Sequence, residues 1–173
     1  VWHLFFQHNT EANTWGPMWW GHAVSSDLLH WEQKDHALHP DKMGSMFSGS
    51  AVVDHNNKSG LGENAIILFY TAANRDDSEA SYTQCMAYSL DNGVSWEKYA
   101  NNPVVKTMVG EDRDPRVVWH AKTQQWIMAL YLTEDKFCLL RSFDAKSWEK
   151  FQDIQLTSDC ECPDFFSLSD NNG

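Results

Sequence analysis

Three segments of this 173-residue chain share one design: Ser25-Ser-Asp27-Leu-Leu-His-Trp31-Glu32, Ser89-Leu-Asp91-Asn-Gly-Val-Ser-Trp96-Glu97 and Ser142-Phe-Asp144-Ala-Lys-Ser-Trp148-Glu149. Each has Ser, Asp two residues on, and Trp-Glu four or five beyond. Ser and Asp side chains can close a tight turn by bonding to nearby backbone, and the Trp then opens the next strand. Between these turns lie short apolar runs broken by Asn, Asp, Gly and Pro, with almost no helical periodicity, which reads as an all-β chain. A turn unit recurring every ~50 to 65 residues, with about four strands per period, is the mark of a β-propeller.

Counting strands against that period divides the chain into blades. One blade spans "FSGSAVVD", "AIILFYTAA", "QCMAYSL" and "SWEKY", from Phe47 to Tyr99. The next spans "RVVWH", "QWIMALYL", "KFCLLRS" and "SWEKF", from Arg116 to Phe151. Before Phe47 only "VWHLFFQ", "WWGHAVS" and "HWEQ" remain, so the first blade lacks its first strand. A further blade is expected to begin at "DFFSLS", 164 to 169. The chain has no initiator Met and opens on a strand, so it is read as a piece of a longer protein: most of blade 1, blades 2 and 3, and the start of blade 4.

In a propeller the first strand of each blade lines the central channel, and the ends of these strands converge. The residues at those ends are Phe47-Ser48, Arg113-Asp114 and Glu161-Cys162. Charges crowded at strand mouths do little for a fold, whereas a pocket for a polar ligand needs them. A Glu among the aromatics of "ECPDFF" is expected to have its pKa raised by desolvation, as suits a proton donor. An Asp beside an Arg is expected to stay ionised with a lowered pKa. Two carboxylates so separated, among aromatics, suit glycoside hydrolysis through an oxocarbenium-like transition state. On the residues alone Asp114 is the visible nucleophile. The plain structural alternative is an Arg113–Asp114 ion pair with Glu161 as a turn residue.

Composition narrows the partners. The formal net charge of -11 argues against nucleic acid or an anionic membrane, both of which need basic surface. No apolar run is long enough for a helical membrane span, and the start does not resemble a signal peptide. Nine Trp, nine Phe and five Tyr suit a β protein or a groove that stacks flat ligands such as sugars. Cys160-x-Cys162 is too tight for an ordinary disulfide and lacks a second pair for zinc, so Cys85, Cys138, Cys160 and Cys162 are read as free thiols. His3, His22, His30 and His36 show no metal-ligand spacing and are read as neutral structural residues. No metal or cofactor is expected. Trp19, Trp20, Trp31, Trp96, Trp126 and Trp148 are assigned to packing between blades. Asn57-Lys58-Ser59 is a glycosylation sequon, meaningful only in a secreted eukaryotic protein.

"HLFFQHNTEANTWGPMWWGHAVSSDLLHW", "FSGSAVVD", "RDP" and "ECPDFF" together resemble glycoside hydrolase family 32, and the resemblance runs the whole length of the chain. These are the invertases, levanases, inulinases and fructan β-fructosidases. The resemblance implies a five-bladed catalytic propeller, of which 1–173 is part of the N-terminal domain, usually followed by a C-terminal β-sandwich. It implies a retaining hydrolase that releases fructose from levan, inulin or sucrose, with the style of "WGPMWWGHAVSSDLLHW" closer to the levanase and exo-inulinase branch. It makes Glu161 the general acid/base and Asp114 the transition-state stabiliser, holding fructosyl hydroxyls with Arg113. Gln7, Trp15, Phe47 and Ser48 match positions lining the fructose subsite, and Cys162 tunes its neighbour Glu161. The family nucleophile is the Asp of a Trp-Met-Asn-Asp-Pro-Asn-Gly motif that these residues do not contain. It is expected upstream of Val1, so Asp114 gives up the nucleophile's role, and these residues alone are expected to be inactive. A secreted or periplasmic location is expected. The alternatives are an arabinanase-like or sialidase-like propeller, or a sugar-binding propeller without catalysis. A sialidase needs an arginine triad, which Arg75, Arg113, Arg116 and Arg141 do not suggest.

Overall fold

A computed structural model describes residues 1–74, 81–158 and 160–168. Arg75 and Ser169 lie outside them. Among these residues eleven antiparallel strands form three sheets, the blades of a propeller. Blade 1 holds β1 (Trp2–His8), β2 (Trp19–Ser25) and β3 (Glu32–Leu38). Blade 2 holds β4 (Ser45–Asp54), β5 (Ala65–Asn74), β6 (Ser81–Ser89) and the short β7 (Glu97–Lys98). Blade 3 holds β8 (Arg113–His120), β9 (Gln125–Thr133), β10 (Lys136–Ser142) and β11 (Glu149–Gln155). Each four-stranded sheet is a simple meander, and β4 lies against β8 across the blade boundary. One expected strand is missing: 164–168 is irregular. A strand is stable only with a hydrogen-bonding neighbour, and this segment pairs with none of the described strands.

The three repeated turns work as their composition suggests. Ser142 Oγ donates to Asp144 Oδ1 at 3.0 Å, and the same Asp oxygen accepts the backbone N–H groups of Lys146 and Ser147 at 2.9 and 2.7 Å. Asp27 and Asp91 repeat this around Ser25 and Ser89. The turn Trp then reaches back to the preceding blade. Trp96 of blade 2 stands edge-on to Phe5 at 5.4 Å and to His22 at 5.7 Å, in blade 1. Trp148 of blade 3 meets Phe69 of blade 2 at 5.8 Å. Trp20 and Trp126 are buried, whereas Trp31 is 38% exposed and its Nε1 donates to the Leu28 carbonyl at 3.1 Å. The largest cluster, with Ile67, Phe69, Met86, Trp126, Met128 and Leu130, joins blades 2 and 3.

The central strands β5 and β9 are buried along nearly their whole length, which is why they read as unbroken apolar runs rather than alternating ones. β4 and β8 are different. Each carries a register shift near its start, between Met46 and Gly49 and between Arg113 and Arg116. Such bulges release residues from the ladder and re-aim their side chains. At Gly49 a Cβ would lie 1.9 Å from the Phe69 carbonyl oxygen, so the close approach of the strands demands glycine.

Four histidines form two stacked pairs, whereas His30, read from the sequence as structural, is exposed and pairs with Asp27. His3 Nδ1 and His22 Nε2 are 2.9 Å apart, as are His8 Nδ1 and His36 Nε2 at 2.8 Å. His22 is 1% exposed, and burial brings its pKa down to about 4. The unfolded chain titrates it near 6.5. The unfolded state therefore binds the extra proton between those values, and His22's contribution to stability is full above pH ~6.5 and lost as pH falls towards 4. Over that window the thermal midpoint is expected to fall more steeply in the wild type than in His22→Gln. Parallel melting curves for the two proteins from pH 7 to pH 4 would rule this out.

Candidate active site

All eight side chains singled out in the sequence line one cavity of about 350 Å³: Gln7, Trp15, Phe47, Ser48, Arg113, Asp114, Glu161 and Cys162. Blade 1 supplies Gln7 from the end of β1 and Trp15 from the β1–β2 connection. Blade 2 supplies Phe47 and Ser48 from the β4 bulge. Blade 3 supplies Arg113 and Asp114 from the β8 bulge, and the chain leaving β11 returns Glu161 and Cys162 to the same place. Two lining residues escaped the sequence reading. Tyr82, on β6, stacks edge-on against Phe47 at 5.5 Å and had no local signal, since it reads as ordinary strand. Glu111 was legible as a third acid in "GEDRDP" but was passed over.

Backbone geometry aims Asp114. Its φ is 61°, in the left-handed region that a non-glycine residue occupies at a cost of about 1–3 kcal/mol. Together with the bulge, this turns Asp114 out of the ladder at the pocket mouth. Trp15 stands perpendicular to Phe47 at 6.1 Å, giving the cavity an aromatic wall. Gln7 is partly committed elsewhere, because its Nε2 donates to the Met46 carbonyl at 2.9 Å. Trp20 Nε1 does the same for the Phe47 carbonyl at 2.8 Å, so blade 1 holds the β4 bulge in shape.

The electrostatics depart from the expected pattern in three ways. Arg113 and Asp114 are not a close pair: Nε and Oδ2 are 4.0 Å apart. Arg113 instead donates to Glu161 Oε1 at 2.6 Å and to the Glu111 carbonyl at 2.8 Å, and it lies over the Tyr131 ring at 4.3 Å. Second, the pKa of Asp114 is raised rather than lowered. It is only 8% exposed, and desolvation outweighs the opposing Cys162 thiol, which donates to Oδ2 at 3.5 Å, and the Arg113 charge. Third, Glu161 is not desolvated by its aromatic neighbours, since its side chain is 57% exposed. Phe165 turns away to pack on Ile127, Ala129 and Leu139, and Phe166 faces solvent. Cys162 has its thiol pKa raised, by burial first and then by the carboxylates beside it. Of the described arginines only Arg113 faces the cavity. Arg116 and Arg141 pair with Asp164 and Glu149. That leaves no triad for a ligand carboxylate among the described residues.

The arrangement can grip a small polyhydroxylated ligand. A buried carboxylate and an exposed one are bridged by one guanidinium, with aromatic rings for apolar faces and further polar groups at Gln7, Ser48 and Glu111. Known proteins point the same way. The model of the glycosyl hydrolases family 32 N-terminal domain matches residues 1–173. A levanase of Bacillus subtilis is 42% identical over 175 aligned residues, covering 96% of this chain and 25% of the levanase. An extracellular exo-inulinase of Meyerozyma guilliermondii is 41% identical, covering 86% of this chain and 30% of its own length. Among solved structures, a fructofuranosidase of Schwanniomyces occidentalis complexed with fructose superposes with a TM-score of 0.81 at 39% identity, covering 89% of this chain and 31% of that one. The chain thus spans about a quarter to a third of the relatives it matches. Repeat, blades and relatives agree that the chain belongs to glycosyl hydrolase family 32, whose N-terminal domain it matches.

Proposed function

We propose that the full-length protein is a retaining β-fructosidase, releasing fructose from levan, inulin or sucrose, and that the cavity described above is its fructosyl subsite. The observation that carries this reading is the meeting of Asp114 and Glu161 in one aromatic-walled pocket with Arg113 between them. The buried carboxylate of Asp114 holds fructosyl hydroxyls and opposes the positive charge that develops on the sugar ring. Glu161 protonates the departing oxygen, then takes a proton from the water that hydrolyses the fructosyl-enzyme. To act as donor it must first carry a proton, which weakens its charge-assisted bond to Arg113 and frees it to turn towards the leaving group. The nucleophile is an aspartate outside these residues, upstream of Val1. The levanase and exo-inulinase relatives support fructan as the substrate class, and the word extracellular in one of their names supports secretion. A C-terminal β-sandwich is part of the same proposal, and the short span of this chain on its relatives supports it.

Two displacements at the anomeric carbon leave its configuration unchanged. NMR of the full-length protein acting on sucrose is therefore expected to show β-fructofuranose as the first-formed fructose, before mutarotation. An α product formed first would exclude the double-displacement mechanism, and absence of fructose release would exclude the function.

A further inference from the structure

The two bulged strands share a device: wherever the bulge leaves backbone groups without ladder partners, polar side chains of the preceding blade take them up. Gln7 and Trp20 do this for β4. Around Asp114 the device is more elaborate. Ser50 Oγ donates to the Pro115 carbonyl at 2.8 Å and accepts the Val117 N–H at 2.9 Å. Thr71 Oγ1 accepts the Asp114 N–H at 3.0 Å and donates its single proton to Gln84 Oε1 at 2.7 Å. Gln84 Nε2 then donates to the Asp112 carbonyl at 2.8 Å.

Each bond in this chain dictates the next. Because the Thr71 proton goes to Gln84, a lone pair is left facing the Asp114 amide. With Oε1 of Gln84 engaged by Thr71, its amide nitrogen must face Asp112. Thr71, Gln84 and Asp112 are all 0% exposed, so water does not compete for these bonds. Asp112 extends the brace outwards, accepting the Met108 and Val109 N–H groups at 3.0 Å each and the Thr107 hydroxyl at 3.1 Å. The residue seized from both sides, Asp114, is the one held at a positive φ that its own side chain disfavours.

We propose that Thr71 and Gln84 are positioning residues for Asp114. From the neighbouring blade they hold its backbone in the left-handed conformation that points the carboxylate into the pocket, and they do so without touching substrate. The inference rests on the fructosidase reading for its kinetic consequence, though not for its structural one. Removing the Thr71 hydroxyl frees the Asp114 amide, and the carboxylate moves off the position where the sugar ring becomes cationic.

The test compares wild type, Thr71→Val and Thr71→Ser in the full-length protein, by kinetics on sucrose per folded molecule and by crystal structures. Thr71→Val is expected to lose about 10²-fold in kcat with KM nearly unchanged, the cost of misplacing a catalytic group by ~1 Å. Thr71→Ser, which keeps the hydroxyl, is expected to recover most of the loss. In the crystal structure of Thr71→Val the Asp114 carboxylate is expected to be displaced. Should Thr71→Val not fold, Thr71→Cys, with a weaker donor and acceptor of similar size, is expected to show an intermediate loss and displacement. Wild-type kcat in Thr71→Val or Thr71→Cys, even at a lowered melting temperature, overturns the proposal, as does an unmoved Asp114. If the wild type itself releases no fructose, the fructosidase reading has failed, and the crystal structures alone then decide whether the brace sets Asp114.

Discussion

Glu161→Gln in the full-length protein is expected to lower kcat on sucrose by about 10²–10⁴-fold, the range for loss of a positioned general acid. The amide keeps the size of the carboxyl and a hydrogen-bonding oxygen for Arg113, but it has no proton to give a departing alkoxide. A fructoside with an aryl leaving group of low pKa needs that proton far less, so its fructosylation is expected to be partly rescued. In the proposed mechanism Glu161 is also the base of the second step, so the rescue is read in the pre-steady-state burst, where only the first step counts. Equal losses on both substrates in that phase would remove Glu161 from the acid's role. Stability is expected to change little, because the Glu161 side chain is mostly in solvent and its ion pair with Arg113 is worth little there.

Asp114→Asn is expected to cost about 10²–10³-fold in kcat while leaving KM nearly unchanged. Interactions with fructosyl hydroxyls strengthen most as the ring becomes cationic, so the loss falls on the transition state rather than on substrate binding. Two further measurements tie that loss to the proposed role. A fluorinated fructosyl inactivator is expected to label an upstream aspartate, and label on the Asp112–Arg116 peptide would make Asp114 the nucleophile. Stability supplies the second. The folded pKa of Asp114 lies above its unfolded value because burial penalises the charge. The group therefore favours folding only at low pH, where the folded state keeps its proton, and its ionised form costs stability at neutral pH. Asp114→Asn is thus expected to melt no lower than wild type at pH 7, while its activity collapses. The same direction predicts that Asp114 moves the acid limb of kcat/KM upward in pH, never downward. A variant that loses stability and activity together would mean that Asp114 is a structural residue after all.

Much of the pocket was legible because propeller geometry converts sequence position into spatial position. Once the Ser-Asp-Trp turns set the blade period, the first strands had to line the channel, and Phe47, Ser48, Arg113 and Asp114 had to meet there. Glu161 followed as a residue just ahead of the strand expected to open the next blade. The strand expected at 164–169 did not form over 164–168, for the pattern of Phe165 and Phe166 is strand-like but supplies no partner. Tyr82 stayed hidden for the opposite reason: its pattern is that of its strand, and its place at the pocket comes from packing against Phe47, 35 residues away in the chain.

The chain by itself determined all but one of the expected strands, their grouping into blades and the side chains that converge. All of these follow from short-range rules: turn chemistry over four or five residues, alternation along a strand, and the repeat of both. Only the tertiary structure decided which carboxylate is buried. Sequence reasoning desolvated Glu161 among its neighbours in "ECPDFF" and lowered the pKa of Asp114 beside Arg113, whereas the fold leaves Glu161 exposed and raises the pKa of Asp114 by burial. Desolvation depends on what covers a group from every side, and bonds such as Thr71 to Asp114 join residues 43 apart in the chain. Adjacency in sequence carries no information about either, because a pleated strand sends neighbouring side chains to opposite faces and a bulge redirects them again.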